Sequence, residues 1–282
     1  MTQVVPPGCV VVAADGSAHA ERALRWAAHQ ALLQRRSLAV LTAGEDVEST
    51  NDDAARQARG IVGDDVEVLA LTTSGDPRTA LVEASRLAHV VVVGSRGRGA
   101  IRSALLGSVS AAVSKHATCP VVVCRPQETA GGHGVLVGVD ATPLSQPVLD
   151  FAFAFASHNA MALTAVHCVW DVVAAVEGHQ GVSTGSTSPI PADDETSAAL
   201  ATATAGFRER YPDVPLTLQV AHGLADEVLG SRSAAAWDLV VVGRHPLDTL
   251  SRLVTGSIAT SVVERARTTV AVVPVPPETG VL

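Results

Sequence analysis

The stretch "AHVVVVGSRGRG", residues 88–99, decides the fold because the chain writes it twice: "WDLVVVGRHPLD", residues 237–248, has the same valine run closed by a glycine. A short continuous apolar run bounded by a turn is the signature of a strand buried on both faces. Other pairs follow in the same order. "CVVVAADGS" (9–17) answers "VLVGVDATPLS" (135–145), and "SLAVLTA" (37–43) answers "ALTAVHC" (162–168). "TTSGDPRTALVEAS" (72–85) answers "QVAHGLADEVLGS" (219–231), and "CPVVVCRP" (119–126) answers "TTVAVVPVP" (268–276). Such self-similarity reads as two copies of one domain, expected at 1–126 and 135–282 with a polar, Gly-rich linker at 127–134 just after Pro126.

The second copy is longer. Gly94 and Gly243 stand farther apart than Asp15 and Asp140 do, by about two dozen residues. The surplus falls in "EGHQGVSTGSTSPIPADDETS" (177–197), whose Gly, Ser, Thr and Pro without aromatics predict a mobile segment.

Of the 282 residues 47% are hydrophobic but only 3% aromatic, so the core must be built from Val, Ala and Leu. That is the palette of buried parallel strands under Ala-rich helices. In the first copy Ser17 is a candidate N-cap for a helix with Ala20, Ala23, Leu24, Ala27, Ala28, Ala31 and Leu32 at helical spacing. Strands at 37–43, 66–71, 90–93 and 120–124 then alternate with helices near 50–60, 77–88 and 108–117. The crossovers suit only parallel pairing. The fold expected is α/β: two tandem doubly wound domains, each an open five-stranded parallel sheet with helices on both faces.

Composition also excludes. A net charge of −8 and a pI near 5.6 argue against a nucleic-acid partner, which would call for a broad basic stripe. No apolar run approaches the ~18 residues of a membrane span, and no basic region precedes the first apolar stretch, so a cytoplasmic location is expected. The four cysteines sit in or beside strand-like segments, as buried reduced thiols do. The ten histidines form no HxxxH or HExxH pair, so they predict no metal centre.

In open α/β sheets ligands lie beyond the carboxyl ends of the strands, where the strand order reverses. In the first copy those ends carry Asp15, Ala43, Gly75-Asp76-Pro77 and the segment opening at Gly94. The segment has no GK[ST], and Arg102 breaks GxGxxG, so neither a P-loop nor an ordinary dinucleotide fold is written here. Gly94, Gly97 and Gly107-Ser108 instead stand at G-x2-G-x9-G-S, with a strand ending at the first and a helix beginning at the last. Glycines let backbone N–H groups close on a phosphate, and a helix N-terminus attracts an anion. Residues 94–118 hold Arg96, Arg98, Arg102 and Lys115 but no carboxylate, a positive pocket suited to a small polyanion.

"VVVVGSRGRGAIRSALLGSVSAAVSKHATCPVVVCR" (90–125) reads like a family consensus, and the whole chain resembles a tandem universal stress protein of the ATP-binding branch. The resemblance implies strand order 3-2-1-4-5 and ATP, with Mg, bound in the first domain. It places Ala13 and Asp15 on the pocket floor, Asp15 beside the ribose or adenine and as a candidate Mg ligand. Ala43 would meet the adenine edge. Gly94, Gly97, Gly107, Ser108, Val109 and Ser110 would cradle ribose and phosphates, with Arg96 and Arg98 as phosphate neighbours. It further implies a stress-response regulator rather than an enzyme, an internal pseudo-dimer through "PVVVC" and "VAVVP", association into a homodimer, and an unidentified protein partner. A nucleotide-free scaffold and a slow ATPase stay open as alternatives.

The copies also differ from the family and from each other. Ala13-Ala14-Asp15 stands where the family has a glycine before Val-Asp. The second copy keeps Gly138, Asp140, Gly243, Gly256 and Ser257, but Pro246 replaces the second signature glycine and Gly223-Leu224-Ala225 replaces Gly75-Asp76-Pro77. Proline fixes φ near −65° and has no N–H to donate. Asp248 adds negative charge, so nucleotide binding in the second copy is expected to be weaker.

Overall fold

A computed structural model describes residues 5–45, 47–97, 106–126, 132–169, 194–230, 236–245 and 258–276. Contacts divide the chain into two compact units, Met1–Pro126 and Gln127–Leu282.

The first unit runs β1 (Val10–Ala13), α1 (Ala18–Gln34), β2 (Leu38–Ala43), α2 (Glu48–Val62), β3 (Val68–Thr73), α3 (Pro77–Ala84), β4 (Val90–Gly94), α4 (Ser108–His116) and β5 (Val121–Cys124). Its strands are parallel in the order β3-β2-β1-β4-β5. The chain therefore reverses direction across the sheet between β1 and β4, and a crevice opens beyond their carboxyl ends. Val10, Val11, Val12, Val91, Val92 and Val122 are wholly buried, because helices cover both faces. That double burial is why these strands read as unbroken valine runs rather than alternating patterns. Ala23, Ala27, Ala28 and Ala31 bring α1 against the sheet without any exposed surface. The Ser17 hydroxyl accepts the Ala20 N–H at 3.2 Å and starts that helix as its sequence predicts.

The second unit repeats the plan with β6 (Val135–Gly138), α5 (Gln146–His158), β7 (Leu163–Val169), α6 (Asp194–Arg210), β8 (Leu216–His222), α7 (Ala225–Gly230), β9 (Leu239–Arg244), α8 (Ile258–Arg265) and β10 (Val270–Pro274). Its order is β8-β7-β6-β9-β10, again parallel. Few aromatics suffice for its core: Phe153 stacks on Phe207 at 5.3 Å and on Tyr211 at 5.9 Å.

Two local expectations change. Of the segment 177–197 expected to be mobile, 177–193 lie outside the described residues, while 194–197 form the first turn of α6. Of the expected linker, 127–131 lie outside them, but His133 N donates to Ala236 O at 2.9 Å and Gly134 N to the Asp238 carboxylate at 3.0 Å. Gly132–Gly134 are therefore stitched to the start of β9. The cysteines are free thiols. Burial pushes Cys9 and Cys168 up to about 11 and Cys119 to about 12, which keeps them protonated and unreactive near neutral pH. Among the described residues no helix is long and apolar enough to cross a membrane, and no cluster of His, Cys, Asp or Glu could hold a metal ion.

Candidate functional site

Strand order brings Asp15 and the segment after β4 together. The Asp15 carboxylate closes the turn between β1 and α1 by accepting the Ser17 N–H on Oδ1 at 2.9 Å. Gly97 stands directly beside it: a Cβ on Gly97 would lie 2.7 Å from Asp15 Oδ2. That position has room for glycine only while the carboxylate keeps its place. Gly16, inside the same turn, has φ +74°, a backbone region that glycine enters without strain.

The other glycines have different tasks. A Cβ on Gly94 would meet the His19 carbonyl carbon and oxygen at 2.7 Å, so this glycine lets the end of β4 touch the backbone of α1. The Ser110 hydroxyl, buried, donates to Gly94 O at 2.6 Å and pins α4 to the same strand end. Both residues, expected in the phosphate cradle, thus have partners within the protein's own frame. Gly107 N donates to Ser95 O at 2.8 Å and closes the loop at its base, with Arg96 and Gly97 packed against it. Gly107 is also the N-cap of α4 and offers no side chain to it. The first-turn N–H groups at Ser108, exposed, and Val109, half-buried, therefore face the crevice end uncapped by any side chain, as anion-binding helix starts do. Ala13 is half-buried at the end of β1. Ala43 ends β2 beside an open cleft of about 400 Å³ lined by Gly44, Val47, Glu48 and Thr73. Asp76 has a capping role, accepting the Arg78 N–H at 2.7 Å above Pro77 at the first turn of α3. Arg98 lies outside the described residues, as do Gly256, Ser257 and Pro246.

Sequence reasoning missed a cluster of cations behind the loop. Ser95, buried, holds its hydroxyl 3.2 Å from His19 Nδ1. Burial lowers the pKa of His19, the charges of Arg22, Arg96 and Arg125 lower it further, and Asp15 opposes them. Burial likewise lowers that of Arg125, with Arg96 adding to the effect. Arg22 Nη1 and Arg96 Nε are buried without a hydrogen-bond partner among the described residues. Groups from the first turn of α1, the end of β4 and the residue after β5 thus converge beside the loop. The available signal was His19 and Arg22, three apart and so on one face of a helix that opens directly from the Asp15 turn.

The second unit builds the same corner from other chemistry. The Asp140 carboxylate accepts from Thr142 N at 2.9 Å, Thr142 Oγ1 at 2.7 Å and the Ser145 hydroxyl, and lies 3.6 Å from His245 Nε2. Burial raises its pKa, but the hydrogen bonds from Ser145 and Thr142 and the charge of His245 outweigh burial and hold it below the usual value. Gly138 gives its space to Leu229, whose Cδ1 would be 2.6 Å from a Cβ there, and Gly243 faces Val148 and Val275.

Comparison with known proteins agrees with this frame. The profile of the universal stress protein family matches residues 9–125 and 133–274. A universal stress protein of Mycobacterium tuberculosis is 34% identical over 290 residues, covering 93% of this chain and 96% of its own. Another from the same organism is 31% identical over 290 residues, covering 93% and 95%. A crystal structure of a universal stress protein from Archaeoglobus fulgidus superposes with a TM-score of 0.66 over 94% of this chain and 98% of its own, at 16% identity, a likeness of fold.

Proposed function

Because the chain belongs to the universal stress protein family, we propose that it is a stress-response regulatory protein that acts by binding ATP in its first unit. The observation that carries this reading is the meeting of Gly97 with Asp15 under a loop backed by His19, Arg22, Arg96 and Arg125. The parts divide the ligand among them. Guanidinium groups and the uncapped first turn of α4 suit the phosphates, and the buried unpartnered atoms of Arg22 and Arg96 are what an anion would satisfy. Asp15 suits a ribose hydroxyl or Mg²⁺, which is commonly held by one or two carboxylates together with substrate phosphates. When bound, Mg²⁺ would neutralise phosphate charge, and the protein's own share is to orient the triphosphate along the loop. Cations and backbone donors support binding rather than turnover, since phosphoryl transfer also needs a group to position the attacking nucleophile.

Native mass spectrometry of chain purified without added nucleotide, followed by calorimetric titration with Mg-ATP, tests the reading. One adenine nucleotide per chain is expected, and Gly97→Pro should abolish it. No binding at millimolar ATP would overturn the proposal.

A further inference from the structure

The second unit holds a cavity of about 420 Å³ beyond the carboxyl ends of β6, β7 and β9. Leu144, Val148, Val166, Leu229, Val242 and Ile258 give its wall an apolar lining, and among the described residues no Lys or Arg lines it. Register identifies what has been exchanged. Gly94 pairs with Cys124 as Gly243 pairs with Val273, so Arg125 corresponds to Pro274. Counting from Asp15 and Asp140, His19 corresponds to Leu144 and Arg22 to Pro147. One histidine and two arginines of the first crevice thus have apolar counterparts here.

The polar groups that remain do not suit a polyanion. Asp140 keeps its negative charge through the donors Thr142 and Ser145, and His245 lies across from its other oxygen. His167, which lines the cavity, has Nδ1 2.9 Å from Val139 O. A carbonyl only accepts, so Nδ1 carries a proton there, and the Nδ1–H tautomer has Nε2 as its acceptor. A mostly apolar chamber of this volume, with the Asp140–His245 pair at its polar side and His167 as an acceptor, lies in the ordinary size range of small-molecule sites, roughly 300–1,000 Å³.

We propose that the second unit's crevice binds an uncharged, mostly apolar small molecule that donates one N–H or O–H hydrogen bond to His167. The two units then carry ligands of opposite character. This site is independent of ATP binding in the first unit, and each can fail without the other.

N-phenyl-1-naphthylamine is a suitable probe, being an uncharged diarylamine with a single N–H. Its fluorescence in a titration of the full chain should rise saturably to one probe per chain. Ile258 is 51% exposed at the cavity rim, so Ile258→Arg leaves the core untouched and should weaken the probe at least tenfold. His167→Phe keeps the ring but removes the acceptor. It should weaken the probe severalfold while leaving its N-methyl analogue, which has no N–H, unchanged. Millimolar ATP should not displace the probe from Gly97→Pro protein. Circular dichroism melts check that each variant is folded. Unsaturable or absent fluorescence, indifference to Ile258→Arg, equal losses for both probes in His167→Phe, or displacement by ATP would each overturn the proposal.

Discussion

The two crevices of this chain share a frame and almost no chemistry. In the first, His19, Arg22, Arg96 and Arg125 stand behind a glycine loop closed on Asp15. In the second, Leu144, Pro147, His245 and Pro274 occupy the corresponding places, and Asp140 is bound up with Thr142, Ser145 and His245. Strand order and register are kept because valines buried on both faces fix them. The residues just past the strand ends bear no such load. A duplicated sheet can therefore change what it holds without changing how it folds.

The sharpest way to break the comparison is at the loop itself. Gly97→Pro removes a donor and places ring atoms where the Asp15 carboxylate lies, so calorimetry should show complete loss of ATP binding. Pro246→Gly alone should leave the stoichiometry at one ATP per chain, because Leu144, Pro147 and Pro274 still stand where the first corner has His19, Arg22 and Arg125. A second equivalent of ATP in that variant would show that the backbone, not the charge, separates the units.

The cations come next. Arg22→Met and Arg96→Met should each weaken ATP by about ten- to a hundredfold, the scale of a lost charge-assisted hydrogen bond of roughly 1.5–3 kcal/mol. The losses should shrink in high salt. Unchanged affinity in both variants would remove the cluster from the site.

Stability should differ between the signature glycines. Gly94→Ala drives a methyl into the His19 backbone and should cost about 1–3 kcal/mol in urea denaturation, the usual scale of overpacking. Gly243→Ala meets side-chain methyls of Val148 and Val275 at 3.0 and 3.2 Å, which can shift, and should cost less. A smaller contrast lies in the turns after the first strands. Gly16 has φ +74°, and its counterpart Ala141 has φ +58°. Gly16→Ala should destabilise by about 1 kcal/mol and Ala141→Gly should stabilise by a similar or smaller amount. Thermal melts of the two variants moving in the same direction would contradict this.

The smallest effect is in pH. The folded pKa of His19 lies below its ordinary 6.5, so the unfolded chain binds that proton first, and the ligand-free fold loses stability as pH falls below 6.5. A triphosphate beside His19 would raise that pKa. ATP binding should then take up a proton and strengthen a few-fold from pH 8 to pH 6. His19→Gln should flatten the trend, and a trend unchanged in that variant would assign the proton elsewhere.

Much of this was legible in the residues. The valine runs, the helical spacing of the alanines after Ser17 and the repeat of both gave the α/β class, and the strand order implied by the family resemblance brought Asp15 and the segment opening at Gly94 to one crevice. Side chains that act across the sheet were not legible. Arg22 and Arg125 are a hundred residues apart, and nothing local marks either as a neighbour of Arg96. Gly94 and Ser110 show the converse, since their signature positions also serve contacts within the frame. A motif records which residues a frame needs as well as which a ligand touches, and sequence alone does not separate the two. The apolar residues Leu144, Val148 and Ile258 stand plainly in the sequence, but no motif marks them as neighbours in one cavity.

The contact between Gly94 and the His19 backbone has one more consequence. With main chain against main chain, no side chain at Gly94 separates the end of β4 from the start of α1 to yield like a spring. The crevice has a fixed jaw there. Selectivity must then come from the lining rather than from the hinge, as in a vice whose plates are changed for each workpiece.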